Sequence, residues 1–129
     1  MSSRNASFDL PPTAGSVRVA RHVLLELMQV WDLPHDQEDG ALLITELVTN
    51  VVDHVGGEAE LTVEINAADD WLRIAVVDGS AVRPVVRELS MDHPRGRGMR
   101  MIQRIAERWG ADEHLGGKRV WCDLRPPGM

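Results

Sequence analysis

The Val- and Leu-rich stretch ELVTNVVDH carries a carboxylate at Glu46 and an amide at Asn50. Four positions apart, they fall one turn apart on a single helix face. A carboxylate can take a proton from a hydroxyl, and an amide oxygen can hold a divalent cation. The pair could therefore serve one metal ion and one reacting hydroxyl. Plain solvent exposure accounts for the same pattern. Asp78 in VVDGS ends an apolar strand beside Gly79. A carboxylate there is partly desolvated and calls for a hydrogen-bond partner, such as the exocyclic amine of adenine. Asp-Gly is equally an ordinary turn. In RGRGMR, Gly96 and Gly98 would let a ligand approach the backbone closely, and Arg95 and Arg97 add charge. If a helix begins there, its free N–H groups suit phosphate. The alternative is a solvated loop end.

These groups need elements to position them. SFDL (7–10) reads as a short edge strand stopped by Pro11 and Pro12. A helix follows from Thr13 or Ser16 to Trp31, with Val17, Ala20, Leu24, Leu27 and Trp31 inward, and Arg18 and Arg21 outward. Leu33-Pro34 ends it. A second helix runs from Asp36 to before Gly56-Gly57 and carries Glu46 and Asn50. Residues 60–67 and 71–79 read as a hairpin about Asp69-Asp70. Residues 79–96 show no period and read as a long loop, a length often used for lids. MRMIQRIAERWG reads as a helix with Met99, Ile102, Ile105, Ala106 and Trp109 inward, capped by Gly110. ADEHL, a Gly116-Gly117 turn and KRVWCDL make a closing hairpin, with Trp109 and Trp121 expected in the core. The order β-α-α-β-β-loop-α-β-β predicts an α+β fold: a two-layer sandwich with a mostly antiparallel sheet and three main helices.

The bulk numbers agree with one domain spanning residues 1–129. The chain is 43% hydrophobic and 26% charged, an ordinary globular balance. A net charge of -6 argues against a broad nucleic-acid surface. Cys122 is the single cysteine, so no internal disulfide can form, which fits a reducing compartment. The first residues lack a signal-peptide run, and no stretch approaches a membrane span. The expected location is cytoplasmic. The five histidines show no metal-ligand spacing.

Taken in order, LLITELVTNVVDH, VVDG, GRGMRMIQRIAERWG and GGKRVWCDL resemble the Bergerat-fold (GHKL) ATPases, the superfamily that includes gyrase and the histidine kinases. More narrowly, the chain resembles the small stand-alone anti-sigma-factor serine kinases, from about residue 7 to residue 125. The resemblance implies ATP and Mg²⁺ as cofactors. It implies Glu46 as general base and Asn50 as the ligand to Mg²⁺. Asp78, with Gly79 beside it, would hold the adenine amine, and Gly96, Arg97 and Gly98 would form the phosphate lid. It further implies a serine/threonine protein kinase acting on an anti-sigma-factor antagonist, binding of a sigma factor, a role in transcription regulation, and a homodimer. No direct nucleic-acid or membrane partner is implied.

The sequence departs from that pattern in places. The first glycine box, D-x-G-x-G in the family, reads Asp78-Gly79-Ser80-Ala81-Val82. Arg119 stands where many relatives carry a threonine near the adenine, and Asp53 adds an acid one turn beyond Asn50. The alternative function is accordingly a regulatory binding module of the same fold, with weak or absent nucleotide binding. The catalytic part of a histidine kinase would need a helical hairpin bearing a phosphorylatable histidine, and none of the five histidines sits on one.

Overall fold

Five antiparallel strands form one sheet, and three helices cover one face of it. The computed structural model describes residues 3–55, 60–78, 96–114 and 117–128, with the backbone alone at 54–55, 96–99 and 114. The chain runs β1 (Ser3–Leu10), α1 (Gly15–Val30), α2 (Gln37–Val55), β2 (Leu61–Ala68), β3 (Trp71–Asp78), α3 (Gly96–Ile105), β4 (Arg108–His114) and β5 (Gly117–Leu124). The sheet order is β1-β2-β3-β5-β4, so β1 is an edge strand as its sequence suggests. It is longer than SFDL, because its pairing with β2 continues from Leu10↔Leu61 back to Ser3↔Ala68. The eighteen-residue loop expected over 79–96 lies outside the described residues except for Gly96, which opens α3.

Alternation places Leu61, Val63 and Ile65 of β2, Leu72, Ile74 and Val76 of β3, and Val120, Cys122 and Leu124 of β5 under the helices. Leu43, Ile44, Leu47, Val48 and Val51 of α2 meet them, and Ala20, Leu24 and Met28 of α1 complete the core with Ile102 of α3. Burial pushes the Cys122 thiol up to about 12, so it packs and does not react. Asp36 begins α2 by accepting the Asp39 N–H at 2.9 Å. α1 stops before Leu33-Pro34: Asp32 takes a left-handed φ of 53°, and Leu33 N–H bonds Met28 C=O at 2.9 Å in a Schellman turn. Among the described residues, no helix is long and apolar enough to cross a membrane.

Three expectations are corrected. The third helix ends at Ile105, and Arg108, Trp109 and Gly110 belong to β4. Gly110 is not a helix cap but a strand residue opposite Trp121. Trp109 does pack against the core, whereas Trp121 lies on the open face of the sheet with the Arg73 guanidinium 4.1 Å above its ring. A Cβ on Gly110 would come within 2.8 Å of that ring. Gly110→Ala is therefore expected to lower stability by about 1–3 kcal/mol, read from the midpoint of urea denaturation. An unchanged or raised midpoint would show that the ring is free to move.

The open face is polar and cross-linked. Asp123, 1% exposed, accepts from Arg73 at 2.7 and 2.9 Å and from Arg108 at 2.9 and 3.1 Å. Trp71 is flanked by Arg108 at 3.8 Å and Arg125 at 4.9 Å.

Candidate functional site

Glu46 and Asn50 owe their position to the way α2 is wedged between its neighbours. α2 packs against α1 on one side, α3 on the other, and the sheet beneath. Arg21 donates to Thr45 Oγ1 at 3.3 Å, so the Thr45 flank of α2 faces α1. Arg21 is thus not wholly outward, as the α1 pattern alone suggests. At about 100° per residue, Glu46 lies about 100° and Asn50 about 140° around the helix from Thr45. That flank is turned away from α1, toward α3. Both side chains are half-buried there, while Asp53 on the same side of the helix is exposed. Partial burial raises the Glu46 carboxyl above its ordinary value of 4.5, because desolvation penalises the charged form.

Asp78 comes from the sheet. It continues the inward row Leu72, Ile74, Val76 and is 1% exposed. Chain connectivity then sets which end of α2 lies nearby. Val55 ends α2, Leu61 begins β2 soon after, and Leu61 is the register partner of Asp78. The C-terminal half of α2, which holds Asn50, is therefore at the Asp78 end of the sheet. α3 opens with Gly96, Arg97 and Gly98 and packs against α2, so its N–H groups of the first turn belong to the same assembly. Glu46 and Asn50 thus share the half-buried flank of α2 away from α1, and the chain brings the Asn50 end of that helix to the end of the sheet where Asp78 is buried. Gly79 lies outside the described residues.

Arg119 does not join this group. Its side chain is on the open face, donating to Glu64 at 3.1 and 3.3 Å. The residue opposite Asp78 in the β3–β5 ladder is Lys118, 5% exposed and on the helix side. Its one signal in the sequence was parity: Lys118 is two residues before Val120, so it shares the face of the inward row. His35 was another unassigned residue. It is buried between α1 and α2 and its Nε2 lies 3.0 Å from the Asp70 carbonyl, tying that linker to the β2–β3 turn.

Two surface concavities, of about 430 and 340 Å³, lie on the open face around Arg73 and Asn66. Neither is lined by Glu46, Asn50 or Asp78. The open-face cations Arg73 and Arg119 are already engaged by Asp123 and Glu64, so these hollows offer little free charge.

The donor set can be tested against the cofactors. No group of three or more His, Cys, Asp or Glu able to hold a metal occurs among the described residues. A metal cage made by protein alone is not what these residues provide. One amide beside a phosphate site does suit Mg²⁺, which commonly binds through one or two side chains together with substrate phosphates and water. A desolvated carboxylate at the sheet end suits an amino group, and a half-buried one with a raised pKa suits proton abstraction.

Residues 10–123 match the family model described as the histidine kinase-like ATPase domain. No curated protein matches the chain.

Proposed function

The chain belongs to the histidine kinase-like ATPase domain family, and on that footing we propose that it binds Mg-ATP and phosphorylates a serine or threonine of a protein partner. The observation that carries this reading is that half-buried Glu46 and Asn50 share one flank of α2, whose C-terminal end is carried by the chain to the end of the sheet where Asp78 is buried. The resemblance to the stand-alone anti-sigma-factor serine kinases supplies the partners: an anti-sigma-factor antagonist as substrate, a sigma factor as the protein held, and a cytoplasmic regulator of transcription as the setting. A homodimer belongs to the same proposal.

Each residue has a physical task. Asp78 accepts from the adenine amine and fixes the base. Asn50 is the residue that would hold Mg²⁺, which when bound neutralises charge on the phosphates. Gly96, Arg97 and Gly98 bring N–H groups and one cation to the start of α3, where an anion is favoured. Glu46 takes the proton from the attacking hydroxyl. Phosphoryl transfer asks for this kind of positioning and charge balance more than for covalent help from the protein. Incubation with Mg-ATP and a candidate antagonist tests the proposal. Phosphate on the antagonist supports it, and wild-type transfer no greater than that of Glu46→Ala removes it.

The raised Glu46 pKa adds a signature. The folded protein holds this proton more tightly than the unfolded chain, so ionising Glu46 costs stability as pH rises above the ordinary value of 4.5. Only the ionised group can act as base. The acid limb of the transfer rate should therefore be displaced upward from glutamate's ordinary value, with the rate falling as pH drops through it. A limb at the ordinary value, or one unchanged in Glu46→Gln, would assign the titration to another group.

A second reading, regulation by contact with weak or absent nucleotide binding, is favoured by Asp78-Gly79-Ser80-Ala81-Val82, which lacks two of the glycines of the family's first box. Calorimetry separates the two. Micromolar ATP binding lost in Asp78→Asn counts against the contact-only module.

A further inference from the structure

Lys118 is the one lysine placed among the core-facing residues of β5, in line with Val120, Cys122 and Leu124. It is 5% exposed. Lysine is almost never buried to this degree without a partner, since an ammonium taken out of water needs an anion and hydrogen bonds to offset the loss. Its register partner on β3 is Asp78. Directly opposed residues of an antiparallel pair have Cβ atoms about 4.5–5.5 Å apart, well within the reach of a lysine stem. Its partner on β4 is Glu113, which is exposed. The buried end of the site therefore presents an acceptor and a donor side by side, not a carboxylate alone.

We propose that Lys118 and Asp78 together read one edge of an adenine base. The inference rests on the nucleotide reading given above. Asp78 accepts from the exocyclic amine, and the Lys118 ammonium donates to the adjacent ring nitrogen, N1. Adenine shows a donor and then an acceptor along that edge, which matches carboxylate and ammonium in turn. Guanine shows the reverse, a carbonyl oxygen and then an N–H. It would set oxygen against carboxylate and N–H against ammonium. Lys118 is thus a specificity-determining residue for adenine over guanine.

The test is calorimetric titration of the full chain with Mg-ATP, Mg-GTP and the 1-deaza analogue of ATP, in which a C–H replaces N1. The wild type should bind ATP about tenfold or more tightly than the analogue, the range for a hydrogen bond to a charged group, and should bind GTP more weakly still. Lys118→Met should bind ATP and the analogue alike, both weakly. Equal affinity of the wild type for ATP and the analogue overturns the assignment, and this comparison decides even if Lys118→Met does not fold. Lys118→Arg, which keeps the charge and the donors, should retain part of the discrimination. Loss of all discrimination in Lys118→Arg together with full retention in Lys118→Met would likewise overturn it. A wild type that binds no nucleotide overturns the nucleotide reading and this inference with it. ATP binding that ignores N1 overturns this inference alone.

Discussion

Glu46→Gln is expected to lower phosphate transfer to a partner serine by about 10²–10⁴-fold, the usual contribution of a positioned general base. ATP affinity should change little, because the amide is nearly isosteric and the base and phosphate contacts are assigned to other residues. The stability of the variant should hold or rise slightly. Burial already disfavours the charged Glu46, so a neutral side chain removes a desolvation cost. That combination is diagnostic. A structural role for Glu46 would show as a lower midpoint of thermal unfolding, and a binding role as a weaker ATP titration. The expected result is neither of these, with the rate alone collapsing. The measurement is a single-turnover transfer assay beside calorimetry on the same preparation. Transfer within about threefold of wild type, too small for a lost general base, would place the base elsewhere.

Asp78→Asn should weaken ATP binding by about 100-fold, the upper part of what a hydrogen bond to a charged acceptor contributes. Two effects act together. The asparagine oxygen is a weaker acceptor, and its amino group can turn toward the base's own amine. The 1% exposure of Asp78 removes water as a substitute partner. Asp78 is also the buried register partner of Lys118, so the substitution removes a negative charge from the neighbourhood of a buried ammonium. Loss of that charge should lower the unfolding temperature as well. Thermal unfolding with and without Mg-ATP separates the two losses: the wild type should be stabilised by nucleotide and the variant should not. Equal nucleotide stabilisation in both proteins would remove Asp78 from base recognition.

Much of the fold is written in local periodicity. α2 is legible because Ile44, Val48 and Val51 recur at helical spacing between an aspartate cap and a glycine pair. β2 and β3 are legible because Leu61, Val63 and Ile65 alternate with polar residues about a two-residue turn. The α3–β4 boundary is not. Ile102, Ile105, Ala106 and Trp109 satisfy helical spacing through a point where the chain has already become a strand. Pairing of Trp109 with Cys122 and Gly110 with Trp121 overrides that local pattern. Gly110 looks like a helix stop, yet its role is to leave room for the Trp121 ring.

The candidate site divides in the same way. Sequence alone determined that Glu46 and Asn50 share a helix face, that Asp78 ends a strand, that Gly96 to Gly98 open a helix, and that their order resembles one ATPase superfamily. Those are statements about neighbours within a few residues, which the backbone periods of 3.6 and 2 fix without reference to the rest of the chain. Tertiary structure decided which flank of α2 turns toward α3, and that Lys118 rather than Arg119 stands opposite Asp78. KRVWCDL reads as a strand in either register, and a slip of one residue exchanges its two faces. Only hydrogen bonding to β3, where the partner of Lys118 is Asp78 forty positions back, sets that parity, because the face a side chain takes depends on the strand it pairs with and not on the residues beside it.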